Sequence, residues 1–381
     1  MENNELIKFE GGLIKRVGNA ISVTNKLLAL AQPQLIPYRK KNKWGFCTSD
    51  KRMVIDCVYD SAYCFSEELA GVMMNGKWGF INKGGLLIIP CLYEWGWSFY
   101  LGMAAVKMNS KWGYFNKNGE LIIPCVYDQF NLSVQHGGAF SLPEELATVV
   151  KNKKWGFINK AGKIVLPIVY DSASNFSEGL AQVKINDKWG YFNKNGELII
   201  PCIYDTSSKF SEGIASVEMN YKMGYINKVG EFIIPCIYDW AVPFSEGLAA
   251  VKMNKRWGYI NKEGELIIPC IYDYVFSFSE GMAAVEMNNK RGYIDKVGEL
   301  VIPCIYDNDI SFFNSFSEEL AIVEMNKKYG YINKVGELII PCVYNYANEF
   351  CKGLANVQTL GSNEWSKRGY INKEGVQYWE D

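Results

Sequence analysis

Trp257-Gly258-Tyr259-Ile260-Asn261-Lys262-Glu263-Gly264-Glu265-Leu266-Ile267-Ile268-Pro269-Cys270-Ile271-Tyr272-Asp273 decides the fold. Trp257 to Ile260 reads as a strand of aromatic and β-branched residues. Asn261-Lys262-Glu263-Gly264 reads as a turn: Asn suits the first position of a type I turn and Gly supplies the positive φ that follows. Glu265 to Ile268 opens another strand, which Pro269 must place at a sheet edge or a bend, because proline cannot donate to a ladder. Upstream, Gly247 to Asn254 reads as a third strand, joined to the first through a turn at Lys255-Arg256. The unit is thus a three-stranded antiparallel meander.

The same pattern recurs along the chain. The marker Trp falls at Trp44, Trp78, Trp112, Trp155, Trp189 and Trp257, and Met223, Arg291, Tyr329 and Arg368 hold its place in the other copies. Glycine follows in all ten (Gly45, Gly79, Gly113, Gly156, Gly190, Gly224, Gly258, Gly292, Gly330, Gly369), and an aromatic follows each glycine. Six of the nine intervals are 34 residues and the others are 43, 38 and 39, so insertions interrupt a fixed unit. Proline recurs twelve residues after the marker in eight copies, from Pro90 to Pro341. The Asn/Asp-Lys-x-Gly turn is present in nine copies, and Thr48-Ser49-Asp50-Lys51 replaces it in the first.

Alternation places Trp257 with Tyr259 on one face and Gly258 with Ile260 on the other. Leu266, Ile268, Cys270 and Tyr272 share a face; Ile267, Pro269 and Ile271 share the opposite one. Both faces are apolar, which predicts that the units stack face to face. Gly258, Ala249 and Ala250 are then expected to leave room for a neighbour's Trp or Tyr. Closed propellers usually have about 4–8 blades of four strands. Ten three-stranded units therefore favour an open or superhelical stack, with a closed propeller-like ring as the alternative. The fold class is an all-β repeat array over residues 34–381, preceded by a helical leader over residues 1–33.

The leader carries Ile7, Ile14, Ile21 and Leu28 at seven-residue spacing beside Leu6, Leu13, Ala20 and Leu27, with Val17 on the same stripe. That is one apolar helical face. Gly11, Gly12 and Gly18 weaken it and Pro33 ends it. Two readings stay open: a helix that caps the first unit, or an adaptor that pairs with another protein.

The residues carrying the repeat resemble the WG-repeat family of bacterial proteins. The match is Lys111-Trp112-Gly113-Tyr114-Phe115-Asn116-Lys117-Asn118-Gly119-Glu120-Leu121-Ile122-Ile123-Pro124, with the later Tyr-Asp and Phe-Ser-Glu-Gly, and it covers residues 34–381. The resemblance implies an interaction scaffold and supplies no catalytic residues. Met223, Arg291, Tyr329 and Arg368 depart from the family's Trp.

The remaining features narrow the function. The chain has 40 basic and 41 acidic residues, and its one basic cluster, Tyr38-Arg39-Lys40-Lys41-Asn42-Lys43, suits a solvated strand edge. Nucleic acid is therefore not an expected partner. No segment has the apolar length of a membrane helix, and Met1-Glu2-Asn3-Asn4-Glu5 does not begin a secretory signal, so a cytoplasmic location with eleven reduced cysteines is expected. Cys57, Cys91, Cys125, Cys202, Cys236, Cys270, Cys304 and Cys342 sit a full repeat apart among Leu and Ile, which reads as core rather than metal ligation. The Glu of Phe-Ser-Glu (Glu67, Glu178, Glu212, Glu246, Glu280, Glu318) and the Asp of Tyr-Asp (Asp60, Asp128, Asp171, Asp205, Asp239, Asp273, Asp307) recur in too many units to form one active site. Turn chemistry, backbone capping and pairing with the Lys of the Asn-Lys turn are the expectations for them.

His136, the single histidine, lies in the largest insertion, Gln129 to Leu142, and reads as a solvated loop residue. Other insertions lie near Asn308 to Ser315 and Thr359 to Ser366. Trp95 and Trp97 are unusual; packing is the simpler reading, and exposed stacking groups are the other. The sequence assigns no catalytic, cofactor or metal residue and leaves the binding residues open. A non-enzymatic protein-interaction scaffold is the expected function, with another protein as partner, no membrane and an open oligomeric state. A glycan or small-ligand module using exposed aromatics is the alternative.

Overall fold

A computed structural model describes residues 34–130, 146–307, 315–360 and 366–380. The leader, His136 and most of the three insertions lie outside them. The described residues form ten sheets in chain order, here blades 1 to 10, seven of four strands and three of three, antiparallel except for one parallel pairing in blade 1.

Blade 7 shows the plan. Its long strands are Ala249–Met253, Arg256–Ile260 and Leu266–Tyr272, preceded by the two-residue strand Trp240–Ala241. The expected meander is present, and the link from the previous blade adds a short fourth strand. Its ladder is only Trp240 opposite Lys252 and Ala241 opposite Val251, too short to leave a sequence pattern. The hairpin turn is Asn254-Lys255, not Lys255-Arg256: both residues have positive φ, and Arg256 already pairs with Met253. This is the turn whose twist matches a two-residue hairpin. The Asn-Lys-x-Gly turn forms as expected, with the Gly264 N–H donating to Asn261 O and Asn261 Oδ1 accepting from Glu265 N. Lys51 takes the glycine place in the first copy, with φ 64°.

The third long strand is the sheet edge in every four-stranded blade, and it bulges at the proline, or at Asp56 in blade 1. Trp257 pairs with Tyr272 while Tyr259 pairs with Ile268, so the edge strand carries extra residues, Pro269 and Cys270 among them. The bulge explains the invariant glycine. A Cβ on Gly190 would lie 2.5 Å from Ile200 O and 2.7 Å from Cys202 N, in the same blade. In nine blades the room is thus taken by the blade's own edge strand and not by a neighbour's Trp or Tyr; in blade 10 the ring of Trp379, from the strand paired with blade 1, lies over Gly369. The assignment of Ile267, Pro269 and Ile271 to a second buried face is also corrected: they are exposed, while Ile268 and Tyr272 are buried.

Blades stack face to face. Each of ten apolar clusters joins residues of two adjacent blades; one contains Trp257, Tyr259 and Ile268 of blade 7 with Val275, Phe278 and Val285 of blade 8. The aromatic after each glycine fills the interface: Tyr259 meets Phe278 at 4.9 Å between centroids, and its hydroxyl donates to Phe276 O at 2.7 Å. Tyr191, Tyr225 and Tyr331 make the same bond to Ser208, Val242 and Asn348.

An open stack of ten blades has nine interfaces, whereas the tenth cluster joins Ile36, Tyr38 and Cys47 of blade 1 to Leu354 of blade 10 and to Tyr378. The array is therefore a closed ten-bladed β-propeller, which overturns the favoured open stack. Closure comes from the last residues. Tyr378 donates its N–H to Tyr370 O in blade 10 and accepts from Arg39 N in blade 1, after which Trp379–Glu380 pairs in parallel with Arg39 and Lys40. The Tyr38 hydroxyl donates to Glu380 at 2.7 Å, and Arg39 Nε donates to Arg368 O at 2.9 Å.

Two expectations follow. Gly190→Ala is expected to cost about 3 kcal/mol, since backbone must move to admit the methyl group; urea unfolding measures it, and a loss under about 1 kcal/mol would refute the close-approach account. Removal of residues 378–381 is expected to open the ring, lowering the thermal midpoint and raising the radius of gyration in X-ray scattering. An unchanged radius would show that the latch is dispensable.

Candidate functional site

The recurrent acids form two structural systems at opposite ends of the blades. At one end lie the Ser-Glu turns. Ser245 and Leu248 exchange backbone hydrogen bonds across Glu246-Gly247, both of positive φ. A non-glycine residue in that region costs about 1 kcal/mol, and its side chain supplies the compensation. Glu246 Oε2 accepts from the Gly281 N–H of blade 8 at 3.0 Å and pairs with Lys296 of that blade at 3.0 Å. Glu67, Glu178, Glu212 and Glu318 each reach forward in the same way, to Lys117, Lys228, Lys262 and Lys373. Glu280 instead takes the N–H groups of Glu318 and Glu319, with Lys334 beside it. The serines add a second forward link, as from Ser245 Oγ to Phe278 O at 2.8 Å. The pairing of these glutamates with the Lys of the Asn-Lys turn is as expected from sequence.

At the other end, the Tyr-Asp acids cap hairpins. Asp239 accepts from Asn254 N at 3.0 Å in the next blade and pairs with Lys222, the residue before the marker, at 2.6 Å. Asp60, Asp128, Asp171, Asp205, Asp273 and Asp307 also pair with the Lys or Arg before the marker, so this set does not use the turn lysine.

These pairings depress the acids. In Glu178, Glu212, Glu246 and Glu318 partial burial raises the carboxyl, but the lysine and glycine N–H bonds outweigh it and leave it below its ordinary 4.5. In Asp171, Asp205 and Asp239 the lysine hydrogen bond dominates and lowers the carboxyl below 3.8. A depressed native pKa gives stability that is complete above the unfolded value and lost as pH falls through the native one. The thermal midpoint is therefore expected to be flat from about pH 7 to 5 and to drop below about pH 4. Circular dichroism melts across this range check it; an unchanged midpoint at pH 3 would remove the clamps from the stability account.

The eight repeated cysteines lie half-buried over the marker glycines. Cys202 Sγ would be 2.8 Å from a Cβ on Gly190 and points to Val183 O at 4.0 Å. Burial pushes the thiols of Cys91, Cys202, Cys270 and Cys304 up, away from thiolate chemistry. Among the described residues no three or more His, Cys, Asp or Glu converge as metal ligands.

The marker place stays buried where Trp is lost, at Met223, Arg291 and Tyr329. Arg291 pairs there with Glu286 at 2.8 Å, both buried, and its guanidinium lies 5.0 Å from the Phe276 ring. Arg368 is exposed.

Two surfaces remain available for recognition. The edge strands of nine blades expose large apolar side chains at the first and sixth positions, such as Leu266 and Ile271 or Leu300 and Ile305. The short strands expose aromatics: Trp95, Trp240 and Tyr274. Trp97 is partly buried against Trp95, at 5.8 Å. Sequence reasoning singled out Trp95 but missed Trp240 and Tyr274, because Tyr-Asp-x-Ala/Val gives no sign that x faces solvent.

The profile described as WG containing repeat matches nine consecutive segments, 44–78, 78–112, 112–155, 155–189, 189–222, 223–257, 257–290, 292–329 and 329–361. None of the curated proteins matches in sequence. Among solved structures, a eukaryotic initiation factor shares 10% identity over 91% of this chain and 95% of its own, with a TM-score of 0.50. Hsv2p of Kluyveromyces lactis aligns at 9% identity over 73% and 93%, TM-score 0.37. The dihydro-heme d1 dehydrogenase NirN aligns at 11% over 73% and 72%, TM-score 0.42. At these identities the likeness concerns fold alone.

Proposed function

Starting from a chain that belongs to the WG containing repeat family, we propose that the ring is a non-enzymatic protein-interaction scaffold acting in the cytoplasm. The observation that carries the reading is the apolar edge. Position one of the edge strand is exposed Leu87, Leu121, Leu198, Leu266, Leu300 or Leu338, and position six is exposed Leu92, Val126, Ile203, Ile271, Ile305 or Val343. Repeated apolar exposure of this kind marks surfaces that another macromolecule covers. The carboxylates support the same reading, because they are committed to pairs that hold blade to blade. In this reading residues 1–33 are a separable adaptor.

Affinity capture with the intact chain, with a chain beginning at Gln34, and with an Ile203→Ser, Ile237→Ser, Ile271→Ser triple variant tests the reading. Each replaced side chain is exposed, so the thermal midpoint is expected to stay within about 3 °C of the parent. A specific partner retained by the intact ring and lost by the triple variant is the expected result. Identical proteins on parent and variant would count against the edge strands. Loss with the shortened chain alone would assign capture to the leader.

The exposed aromatics favour a second reading, a small-ligand or glycan module. Trp95, Trp240 and Tyr274 occupy equivalent places in blades 3, 7 and 8.

A further inference from the structure

The first residue of the short strand varies between blades, from partly buried Ser61, Ser172 and Tyr346 to exposed Trp95, Gln129, Trp240 and Tyr274. In blade 7 it is Trp240, 55% exposed. Opposite it in the ladder is Lys252, whose Nζ stands 5.6 Å from the centroid of the Trp257 ring. With Lys255 of the hairpin and Asp239 of the inter-blade link, these residues line a cleft of about 310 Å³.

The polar groups of this cleft are unbalanced. Both oxygens of Asp239 are engaged, one by Lys222 and the other by Asn254 N. Among the described residues Lys252 and Lys255 make no ion pair within 4 Å, although the charge of Lys252 helps to lower the Asp239 carboxyl. Trp257 is only 6% exposed, and its Nε1–H has no hydrogen-bond partner. A buried donor without an acceptor is destabilising. The cleft therefore presents two ammonium groups and an exposed indole face beside one carboxylate, Asp239, whose two oxygens are already engaged.

The arrangement occurs twice. In blade 3, Trp95 is 41% exposed opposite Lys107, and Lys107 Nζ stands 5.7 Å from the Trp112 centroid. Glu94 takes the place of Asp239 and accepts from Ser110 N at 3.1 Å, while Ser110 stands where blade 7 has Lys255. Blade 8 offers the contrast. There Glu286 occupies the ladder place of Lys252 and Arg291 the place of Trp257, and the two neutralise each other in a buried ion pair. Blade 7 keeps the cation and omits the internal carboxylate.

We propose that the blade 7 cleft binds a carboxylate carried on an aromatic or apolar group, with the carboxylate at Lys252 and Lys255 and the apolar face stacked on Trp240, and that blade 3 holds a weaker copy. Ammonium–carboxylate bonds supply the polar recognition and the indole supplies the stacking area. The ligand is either an acidic-aromatic peptide segment or a free aromatic acid. The proposal uses different side chains from the apolar edge, so each can fail alone.

The test uses the full chain and two probes: a fluorescein-labelled peptide of alternating Glu and Phe, read by anisotropy, and phenylacetate, read as a competitor and by calorimetry. Saturable binding that weakens with salt is expected. Trp240→Ala and the Lys252→Gln, Lys255→Gln pair are each expected to weaken it at least about tenfold, the size of one lost charge-assisted contact. Trp95→Ala is expected to change it less than about threefold. Melting curves verify that the variants remain folded, and a Lys252→Arg, Lys255→Arg pair is expected to recover binding because charge is kept. Peptide binding that phenylacetate does not displace assigns the site to a peptide; equal binding of phenylacetate alone assigns it to a free acid. No saturable binding of either probe up to millimolar concentration overturns the proposal, as does binding that Trp240→Ala leaves within about twofold.

Discussion

The close passage of each edge strand over the marker glycine is the constraint on which the ring depends. At Gly190 the carbonyl of Ile200 and the amide of Cys202 occupy the space a side chain would need. That passage allows the edge strand to bulge, and the bulge returns Tyr204 to pair with Trp189. Asp205 then stands at the hairpin end, paired with Lys188, ready to lead into the next blade. Tryptophan at the marker is a less strict demand: Met223, Arg291 and Tyr329 are buried there, each opposite the tyrosine of its edge strand.

The inter-blade layer has two materials. Its apolar part is the repeated aromatic contact, such as Tyr225 with Phe244 at 5.0 Å. Its polar part is spent on backbone: tyrosine hydroxyls and serine hydroxyls donate to carbonyls of the next blade, and glutamates accept from its amides. The exposed lysine pairs at the rims are individually weak; their value lies in repetition around a ring and in fixing turns of positive φ.

Local chemistry was legible in the sequence, and geometry accumulated over the whole chain was not. Period, turn residues and proline placed the three long strands and the edge correctly, because each signal acts within a few residues. Recurrence also identified the acids as structural, down to the Glu–Lys pairing. Closure was missed because it depends on the angle between blades summed ten times, and on Tyr378-Trp379-Glu380, which replace the usual Ile-Ile-Pro of the edge strand. The misplaced hairpin at Lys255-Arg256 has a similar origin: Asn254 tolerates the left-handed region, and so does the lysine after it. The aromatic cleft was invisible because its members come from a link, a ladder and a turn whose residue types vary between units.

The glutamate clamps all point one way. Glu178 holds blade 6, Glu212 holds blade 7 and Glu246 holds blade 8, and among the described residues no blade is held from in front by the same device. The ring thus has a sense of rotation, like a row of people each gripping the shoulder ahead. In blades 3 and 10 the grip is absent, since Leu101 and Lys352 replace the glutamate. Loss of one such turn therefore weakens the interface with the blade that follows it, while the interfaces after blades 3 and 10 rest on their apolar layer without this clamp.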